Sequence, residues 1–401
     1  MEFGIFLNGY LPGPAAHSSK HEHEMFTREI QYVETSDRYN WKYAWFGEHH
    51  GLTEYSHLSA PEVLMGYCAK STERIHLGSA IMNLSPRVNH PVRNCERVAI
   101  LDHLTNRRYE WGTGRGAGSH EIATFSIMDK DSTKSEWNEV IREIPRMFEV
   151  RDYTFGGEHF QVPTPHNILP KPYEPGHPPI WVACGNPATF ATAGSLGIGA
   201  IAFNFEPIFA LQGRIDAYKQ AVAECKEPLG QYMNNNVMMT NAVICLADRK
   251  RAREIALKQG RGYLYSMVCM YHDTMPHNSG APVWPEAPFG ISTEEDLDRL
   301  IAEGWLLCGD PDEVAEQIAK YQSVGCDQVV FGVPSDCVEH EEVLEMLELF
   351  GTKVIPQYDT DPVHSTTRYR ESAKRKYPDF ENTPPNVKVE VLPTNAMIGL
   401  P

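Results

Sequence analysis

The stretch that decides the fold is Tyr43-Ala44-Trp45-Phe46-Gly47-Glu48-His49-His50-Gly51. Its first four residues are apolar and aromatic, which predicts a short strand that is covered on both faces. Gly47 ends that strand, and an acid and two imidazoles follow at once. In an α/β enzyme the chemistry lies where such buried strands end. The stretch therefore favours a buried parallel sheet with a functional edge, although a solvated turn that holds two histidines by chance would look the same.

Strand and helix patterns alternate on both sides of this stretch. Eight apolar runs of strand length are each followed by a helical pattern, and they lie at 1–8, 43–46, 74–84, 108–112, 179–183, 200–203, 237–246 and 327–331. Such alternation is typical of parallel strands that are joined by crossover helices. The simplest closure is an α/β fold, an eight-stranded parallel (β/α)8 TIM barrel.

Three segments make the chain longer than the ~250 residues that are usual for this barrel. They are a hairpin with a proline-rich stretch at 153–179, a stretch at 270–304, and the tail after residue 351. We therefore expect a barrel over 1–356 and a C-terminal extension over 357–401. The tail has little apolar periodicity and a basic cluster around Arg368 and Arg375. It fits either an arm on this or a neighbouring subunit, or plain disorder.

Composition and charge restrict the possible partners. The 401 residues carry a net charge of −17, which argues against nucleic acid and against an anionic membrane surface. No run approaches the roughly 18–20 apolar residues of a membrane span, and the amino terminus lacks a signal-peptide pattern. The nine cysteines include no Cys-x-x-Cys pair, so we expect reduced core thiols in a cytoplasmic protein.

Two more motifs fall at predicted carboxyl ends of strands. Ser79-Ala80-Ile81-Met82-Asn83 ends the third run, and Gly112-Thr113-Gly114-Arg115-Gly116 ends the fourth. A barrel brings these ends and the Glu48-His49-His50 turn to one face, which is the active-site face. Glycines let the backbone approach a ligand, and Arg115 offers a forked cation to a phosphate.

A second anion site is predicted at Gly185-Asn186-Pro187-Ala188-Thr189. This is a turn into a helix N-terminus, where backbone N–H groups and a hydroxyl face outward. One arginine and one helix N-terminus are enough for a monophosphate such as that of FMN.

Two other kinds of site fit the same residues less well. The pattern Gly112-x-Gly114-x-x-Ala117 can be aligned with a dinucleotide-binding motif, but the helical pattern resumes only near Ser132, and that motif opens directly into a helix. Glu48, His49, His50 and His57 offer metal-ligand chemistry, but their spacing is not His-Glu-x-x-His, and adjacent residues on a strand end point to opposite sides. We expect no metal site.

Taken together, the motifs resemble the bacterial luciferase-like flavin monooxygenases. The resemblance rests, in this order, on Phe3-Gly4-Ile5-Phe6, Glu48-His49-His50 with Thr53-Glu54-Tyr55, Leu77-Gly78-Ser79-Ala80, His90-Pro91-Val92-Arg93 and Gly112-Thr113-Gly114-Arg115-Gly116. It is close to the luciferase α subunit over about the first 125 residues, and it is weaker from Trp181 to Thr189 and near Val329.

The resemblance implies a barrel that binds reduced FMN supplied by a separate flavin reductase. Oxygen would add to the flavin, and the flavin hydroperoxide would oxygenate a small organic substrate, as in a two-component monooxygenase. A homodimer or higher homo-oligomer is expected. The alternatives are a deazaflavin-dependent oxidoreductase of the same superfamily and a non-catalytic flavin-binding barrel. The intact Glu-His-His turn and Arg115 count against the last.

Residue by residue, the resemblance makes His49 the catalytic histidine and Arg115 the phosphate arginine. Ala80-Ile81 matches a non-proline cis peptide beneath the flavin ring, within a cofactor-binding segment that includes Ser79 and Asn83. The phosphate turn falls on Cys184, Gly185, Asn186 and Thr189. Luciferase has a reactive cysteine where this chain has Gly114, and an acid and a serine where it has Cys184 and Gly185. Light emission and a long-chain aldehyde substrate are therefore not implied.

Overall fold

The computed structural model of the protein describes residues 1–116, 118–203, 207–258 and 293–376. The strands in these ranges are β1 (Glu2–Leu7), β2 (Tyr43–Phe46), β3 (His76–Ser79), β4 (Met82–Asn83), β5 (Tyr109–Gly114), β6 (Tyr153–Gly156), β7 (Gln161–His166), β8 (Ile180–Cys184), β9 (Gly199–Phe203), β10 (Val237–Cys245), β11 (Leu306–Gly309) and β12 (Gln328–Gly332).

Eight of these strands close into a parallel barrel in the order β1-β2-β3-β5-β8-β9-β10-β12. The ring closes where β12 pairs with β1, with Glu2 opposite Gln328 and Phe6 opposite Gly332. These are the eight strands that the apolar runs predict, so the (β/α)8 barrel is confirmed. The predicted hairpin is confirmed as the antiparallel pair β6–β7.

One further strand was missed by the sequence analysis. β11 pairs with the carboxyl half of β10, outside the closed ring, with Ala242 opposite Leu306. It follows a helix, Glu294–Glu303, inside a segment that the sequence analysis treated as an insertion. The strand is four residues long, with the sequence Leu-Leu-Cys-Gly.

Helices occupy the outside of the barrel. They are α1 (Ser19–Arg38), α2 (Pro61–Ser71), α3 (Pro91–Leu104), α4 (Ser119–Ala123), α5 (Thr133–Glu149), α6 (Pro187–Ser195), α7 (Gln212–Glu224), α8 (Arg249–Lys258), α9 (Glu294–Glu303), α10 (Pro311–Ser323), α11 (His340–Leu349), α12 (Ile355–Tyr358) and α13 (Ser365–Glu371). The helical pattern that follows the seventh apolar run extends from Asp248 to about Val268; the helix begins as this pattern predicts, but the second half of the pattern lies outside the described residues. None of the helices within the described ranges is long and apolar enough to span a bilayer.

The barrel interior is filled by a compact aromatic cluster. Trp45 and Trp181 meet edge to face with their ring centres 5.2 Å apart, among Phe6, Tyr43, Ala80, Ile201, Met238 and Val330. The indole N–H of Trp45 donates to Gln328 Oε1 at 2.7 Å, and that of Trp181 donates to Glu110 Oε2 at 2.8 Å. The cluster is therefore a packed core, not a pore.

The amino-terminal end of the barrel is covered by residues of the C-terminal tail. His364 stacks on His76 with ring centres 3.7 Å apart. Burial lowers the pKa of His76 to about 3 and holds the pKa of His364 well below its usual value, so both rings are neutral at pH 7. Neutral rings can stack closely without repelling each other.

Three acidic side chains at this end of the barrel receive donors from α13. Ser365 donates to Glu2 from its backbone N–H at 2.9 Å and from its hydroxyl at 2.7 Å. Thr366 donates to Glu110 at 2.6 Å. Arg370 is 1% exposed and binds both oxygens of Asp102 at 2.7 Å. The described part of the tail thus lies on its own barrel, while residues 377–401 lie outside the described ranges.

We predict that Arg370→Ala lowers the free energy of unfolding by about 3–5 kcal/mol, because it leaves Asp102 buried without its cation. Urea denaturation followed by tryptophan fluorescence measures the change. Arg368→Ala is the matched control, since Arg368 is on the same helix and pairs with Asp361 at the surface. The urea concentration at the unfolding midpoint of this variant should hardly change. Equal losses in both variants would show that the helix matters and the buried pair does not.

Candidate active site

The Glu-His-His turn follows β2 and is held by a carboxylate from another part of the chain. His49 Nδ1 lies 3.1 Å from Glu121 Oε1, and the backbone N–H of His50 donates to the same oxygen at 3.2 Å. Glu121 lies in α4 and is 2% exposed. Tyr55 packs edge-on against the His49 ring at 5.0 Å. Because a carboxylate accepts from Nδ1–H, the neutral ring carries its lone pair on Nε2.

His50 faces a different carboxylate. Its Nε2 lies 3.3 Å from Glu48 Oε1, and its ring packs edge-on against Phe125 at 4.9 Å. Burial raises the pKa of Glu48. Burial alone would lower the pKa of His50, but the Glu48 carboxylate raises it above its usual value. The two histidines thus contact different carboxylates, His49 that of Glu121 and His50 that of Glu48. Within the described ranges no three His, Cys, Asp or Glu side chains are placed to hold a metal ion.

The segment between β3 and β4 forms the neighbouring part of the mouth. The Ala80–Ile81 peptide bond is cis, as the resemblance implied. Ser79 Oγ donates to the Gly112 carbonyl at 2.9 Å, and a Cβ atom at Gly112 would lie 1.9 Å from the Ser79 carbonyl oxygen. A Cβ atom at Gly114 would lie 2.6 Å from the Ile81 side chain. Glycine at both positions lets β5 approach this segment, and a cysteine at 114 would require the Ile81 side chain to shift.

Asn83, at the end of β4, connects this segment to the Glu-His-His turn. Its backbone N–H donates to Glu48 Oε1 at 3.4 Å, and its side-chain oxygen accepts from the Ser85 N–H at 3.0 Å. Asn83 is buried. The structure therefore brings Glu48, His49 and the segment from Ser79 to Asn83 together at the same end of the barrel.

Arg115 follows β5 and lies in a pocket of mainly neutral oxygens. Its Nη1 donates to the Lys130 carbonyl at 3.3 Å and to Thr133 Oγ1 at 3.1 Å. Burial lowers the pKa of Arg115, although the Asp131 carboxylate acts in the opposite direction. Burial also lowers the pKa of Lys130, and the positive charge of Arg115 adds to that effect. Two cations therefore lie close to each other, and both of these acceptors of Arg115 are neutral.

The predicted phosphate turn follows β8, the strand next to β5. Thr113 lies opposite Val182 in the register, so Arg115 and Gly185 extend from neighbouring strand ends. Asn186 caps α6, because its Oδ1 accepts from the backbone N–H and the hydroxyl of Thr189, both at 3.1 Å. A Cβ atom at Gly185 would meet nothing within 4 Å among the described residues, so the turn is open to a ligand.

Cys184 is part of this turn only through its backbone. Its side chain is 2% exposed, and its thiol donates to the Val182 carbonyl at 3.4 Å. Burial raises the pKa of this thiol. The sulfur therefore belongs to the core and has the environment of an inert structural cysteine.

The residues that support the site are not recognisable in the sequence. Glu121 lies in a five-residue helix, in a stretch where no helix was predicted. Lys130 and Thr133 lie 15 and 18 positions after Arg115 and belong to no recognisable motif. Of these residues, only Glu121 could have been suspected from the sequence, because an acid six residues after Arg115 lies close to the glycine turn. That indication is weak.

Comparison with known proteins identifies the family. The sequence matches the luciferase-like monooxygenase family over residues 1–328. The chain belongs to this family. The resemblance drawn from the motifs is thereby confirmed.

Three relatives illustrate the range of the luciferase-like proteins. The oxygenase component of flavin-dependent trigonelline monooxygenase from Acinetobacter baylyi is 22% identical, over 85% of this chain and 92% of its own. An F420-dependent glucose-6-phosphate dehydrogenase from Amycolatopsis mediterranei is 24% identical, over 80% and 95%. The oxygenating constituent of 3,6-diketocamphane monooxygenase from Pseudomonas putida, solved with FMN, has a TM-score of 0.71 and 18% identity, and the match covers 89% of this chain and 98% of that chain.

Proposed function

We propose that this protein is the oxygenase of a two-component system, which takes reduced FMN from a separate flavin reductase and uses O2 to oxygenate a small organic substrate. The observation that carries the proposal is the environment of Arg115. A half-buried guanidinium that donates to neutral oxygens, with Lys130 close by, suits a phosphate dianion. The open turn at Gly185, on the next strand, supplies backbone N–H groups to the same anion.

The remaining site residues have roles that agree with this anchor. The Ala80–Ile81 segment, with Ser79 and Asn83 on either side, forms the wall against which the flavin ring would lie. Reduced FMN, when bound, supplies the electrons that activate O2. His49 holds or moves a proton at Nε2, because its other nitrogen is occupied by Glu121. The aromatic interior below the site keeps water away from it.

Family relationships support the flavin and leave one alternative. Among the relatives, one is named as the oxygenase component of a flavin-dependent monooxygenase, and another is named as F420-dependent. An oxidoreductase that uses the deazaflavin coenzyme is therefore the second candidate, whereas a non-catalytic flavin-binding barrel would not need the His49–Glu121 pair. Anaerobic titration with reduced FMN and with reduced deazaflavin separates the first two. Tight binding of the deazaflavin alone would contradict the first proposal.

We predict that Arg115→Ala weakens binding of reduced FMN by about 1.5–3 kcal/mol, the contribution of a charge-assisted hydrogen bond. Riboflavin, which has no phosphate, should lose much less. The control is Arg87→Ala, because Arg87 contacts Ser132 beside the same helix start but pairs with Glu136. Equal losses for FMN and riboflavin would place Arg115 away from the phosphate.

We predict that His49→Ala reduces substrate turnover by about 10²–10⁴-fold, the usual contribution of general acid–base catalysis. FMN affinity should stay nearly unchanged, since His49 has no phosphate role. Glu121→Gln removes the charge that orients the ring and should give a smaller loss in turnover. Turnover is measured with an added flavin reductase, and flavin binding by fluorescence. A His49→Ala protein that turns over normally but no longer binds flavin would refute the assignment.

We also propose a cytoplasmic homodimer that forms through α2 and α3. Both helices expose large apolar side chains, namely Val63 (70% exposed), Tyr67 (65%), Ile100 (46%) and Leu104 (58%). Exposed apolar patches of this kind mark protein–protein interfaces. The eight cysteines in the described ranges are unpaired, which agrees with a reducing compartment.

We predict that the double variant Tyr67→Glu/Leu104→Glu sediments as a monomer, because burying two unpaired carboxylates in an apolar interface costs more free energy than association provides. Analytical ultracentrifugation measures the mass. Phe209→Glu is the control, since Phe209 is also exposed but belongs to neither helix and precedes α7. A double variant with the mass of the wild-type protein would exclude this interface.

A further inference from the structure

A cavity opens beside the barrel mouth, between α1 and α11. Its volume is about 230 Å³. Phe6, which belongs to the barrel interior with Ala80, lines one part of it, and Tyr55 lines another. Tyr55 also touches the His49 ring. The cavity therefore adjoins the reactive part of the mouth, and its described lining does not include Arg115 or the Gly185 turn.

Glu29, on α1, lines this cavity. Its side chain is buried, with 7% exposed. Oε1 accepts from the Gly9 N–H at 2.7 Å, while Oε2 is buried without a hydrogen-bond partner among the described residues. Burial raises the pKa of Glu29 to about 7, although the backbone N–H groups of Gly9 and Asn8 act in the opposite direction. When Glu29 is ionised, its buried Oε2 costs free energy unless a donor reaches it.

Asn8, immediately after β1, brings a second acceptor to the same cavity. Its Nδ2 donates to the Tyr55 carbonyl at 2.8 Å, which fixes the orientation of the amide. The other polar atom of the amide, Oδ1, is the acceptor, and it too is buried without a hydrogen-bond partner in the described part of the chain. Two orphaned acceptors thus border one cavity, and ketones, aldehydes and sulfonates have no N–H or O–H group to offer them.

We propose that this cavity receives the nitrogen end of the substrate, and that an organic ammonium or N–H group donates to Glu29 Oε2 and Asn8 Oδ1. Phe6, Tyr10 and Tyr55 line the cavity and contact the apolar remainder, and tyrosine rings also attract a cation. The inference rests on the proposed function, because it names the substrate class as amines. The other charged or titratable groups that line the cavity are His21, Glu24, Arg28, Tyr32 and His340.

The test compares amines with neutral molecules of the same shape, using the full-length protein without flavin. Benzylamine, N-methylbenzylamine and 2-phenylethylamine are titrated by calorimetry at pH 8 beside benzyl alcohol, benzyl methyl ether and 2-phenylethanol. At this pH the amines are charged and Glu29 is mainly ionised. The amines should bind at least about tenfold more tightly than their partners, as expected for a hydrogen bond to a charged group.

Two substitutions assign the effect to the orphaned acceptors. Glu29→Gln should remove the preference for amines and leave the neutral molecules within about twofold. Asn8→Ala should weaken amine binding while keeping part of the preference, and it replaces the first test if Glu29→Gln fails to fold. Glu24→Gln is the matched control: Glu24 lies on the same helix and lines the same cavity, but it already pairs with Lys20, so the preference should persist.

Several outcomes would overturn the inference. Equal binding of amines and neutral partners would do so, as would a preference that survives Glu29→Gln, or no binding by any of the six probes. Reduced FMN is titrated on the same proteins. A clear preference for amines without FMN binding would refute the proposed function and leave the amine site intact. Normal FMN binding without any preference would refute only the amine site.

Discussion

The edge-to-face contact between Trp45 and Trp181 is the constraint on which the rest of the structure depends. The two indoles meet at 5.2 Å in the middle of the barrel, and each lies opposite a glycine of the next strand, Trp45 opposite Gly78 and Trp181 opposite Gly199. A Cβ atom at Gly78 would lie 2.4 Å from Trp45, and one at Gly199 would lie 2.3 Å from Trp181. Both indole N–H groups point to acceptors, Gln328 and Glu110, near the amino-terminal ends of their strands. The indole N–H groups of the core are thus hydrogen-bonded at the base of the barrel. The core therefore presents apolar surface to the mouth, where a site that excludes water is useful.

Around that mouth, the proposed site residues are distributed over the ends of different strands. Moving round the ring, the cavity with Glu29 lies beside the carboxyl ends of β12 and β1, and His49 follows β2. The Ala80–Ile81 segment follows β3, and β5 and β8 present Arg115 and the Gly185 turn. The residues proposed to anchor the phosphate and the residue proposed to move the proton therefore lie at the ends of different strands, and a change in one need not disturb the other. This arrangement agrees with a family whose members include flavin-dependent and F420-dependent enzymes.

The strands and the turn residues could be predicted from sequence because each is local. A strand buried on both faces shows as a continuous apolar run, and His49 and Arg115 stand at the ends of such runs. The partners of these residues could not be predicted, since Glu121 is 72 positions from His49. Its five-residue helix is also too short to show a helical spacing of apolar residues. The docking of the tail was hidden for the same reason, because Arg370 and Asp102 are 268 positions apart. The cis peptide at Ala80 came from family resemblance alone, as nothing in the neighbouring residues demands it.

The contacts of α13 with the base of the barrel have a consequence for biosynthesis. The acidic groups of Glu2, Asp102 and Glu110 belong to early parts of the barrel, whereas Ser365, Thr366 and Arg370 are synthesised after all eight barrel strands. A nascent chain can form helices and pair its early strands, but until α13 emerges these three acids lack those donors. The last described helix thus completes a barrel that begins at the second residue, and a chain interrupted before it leaves the Asp102 carboxylate without its cation. The base of the barrel can therefore reach its native contacts only after α13 has been synthesised.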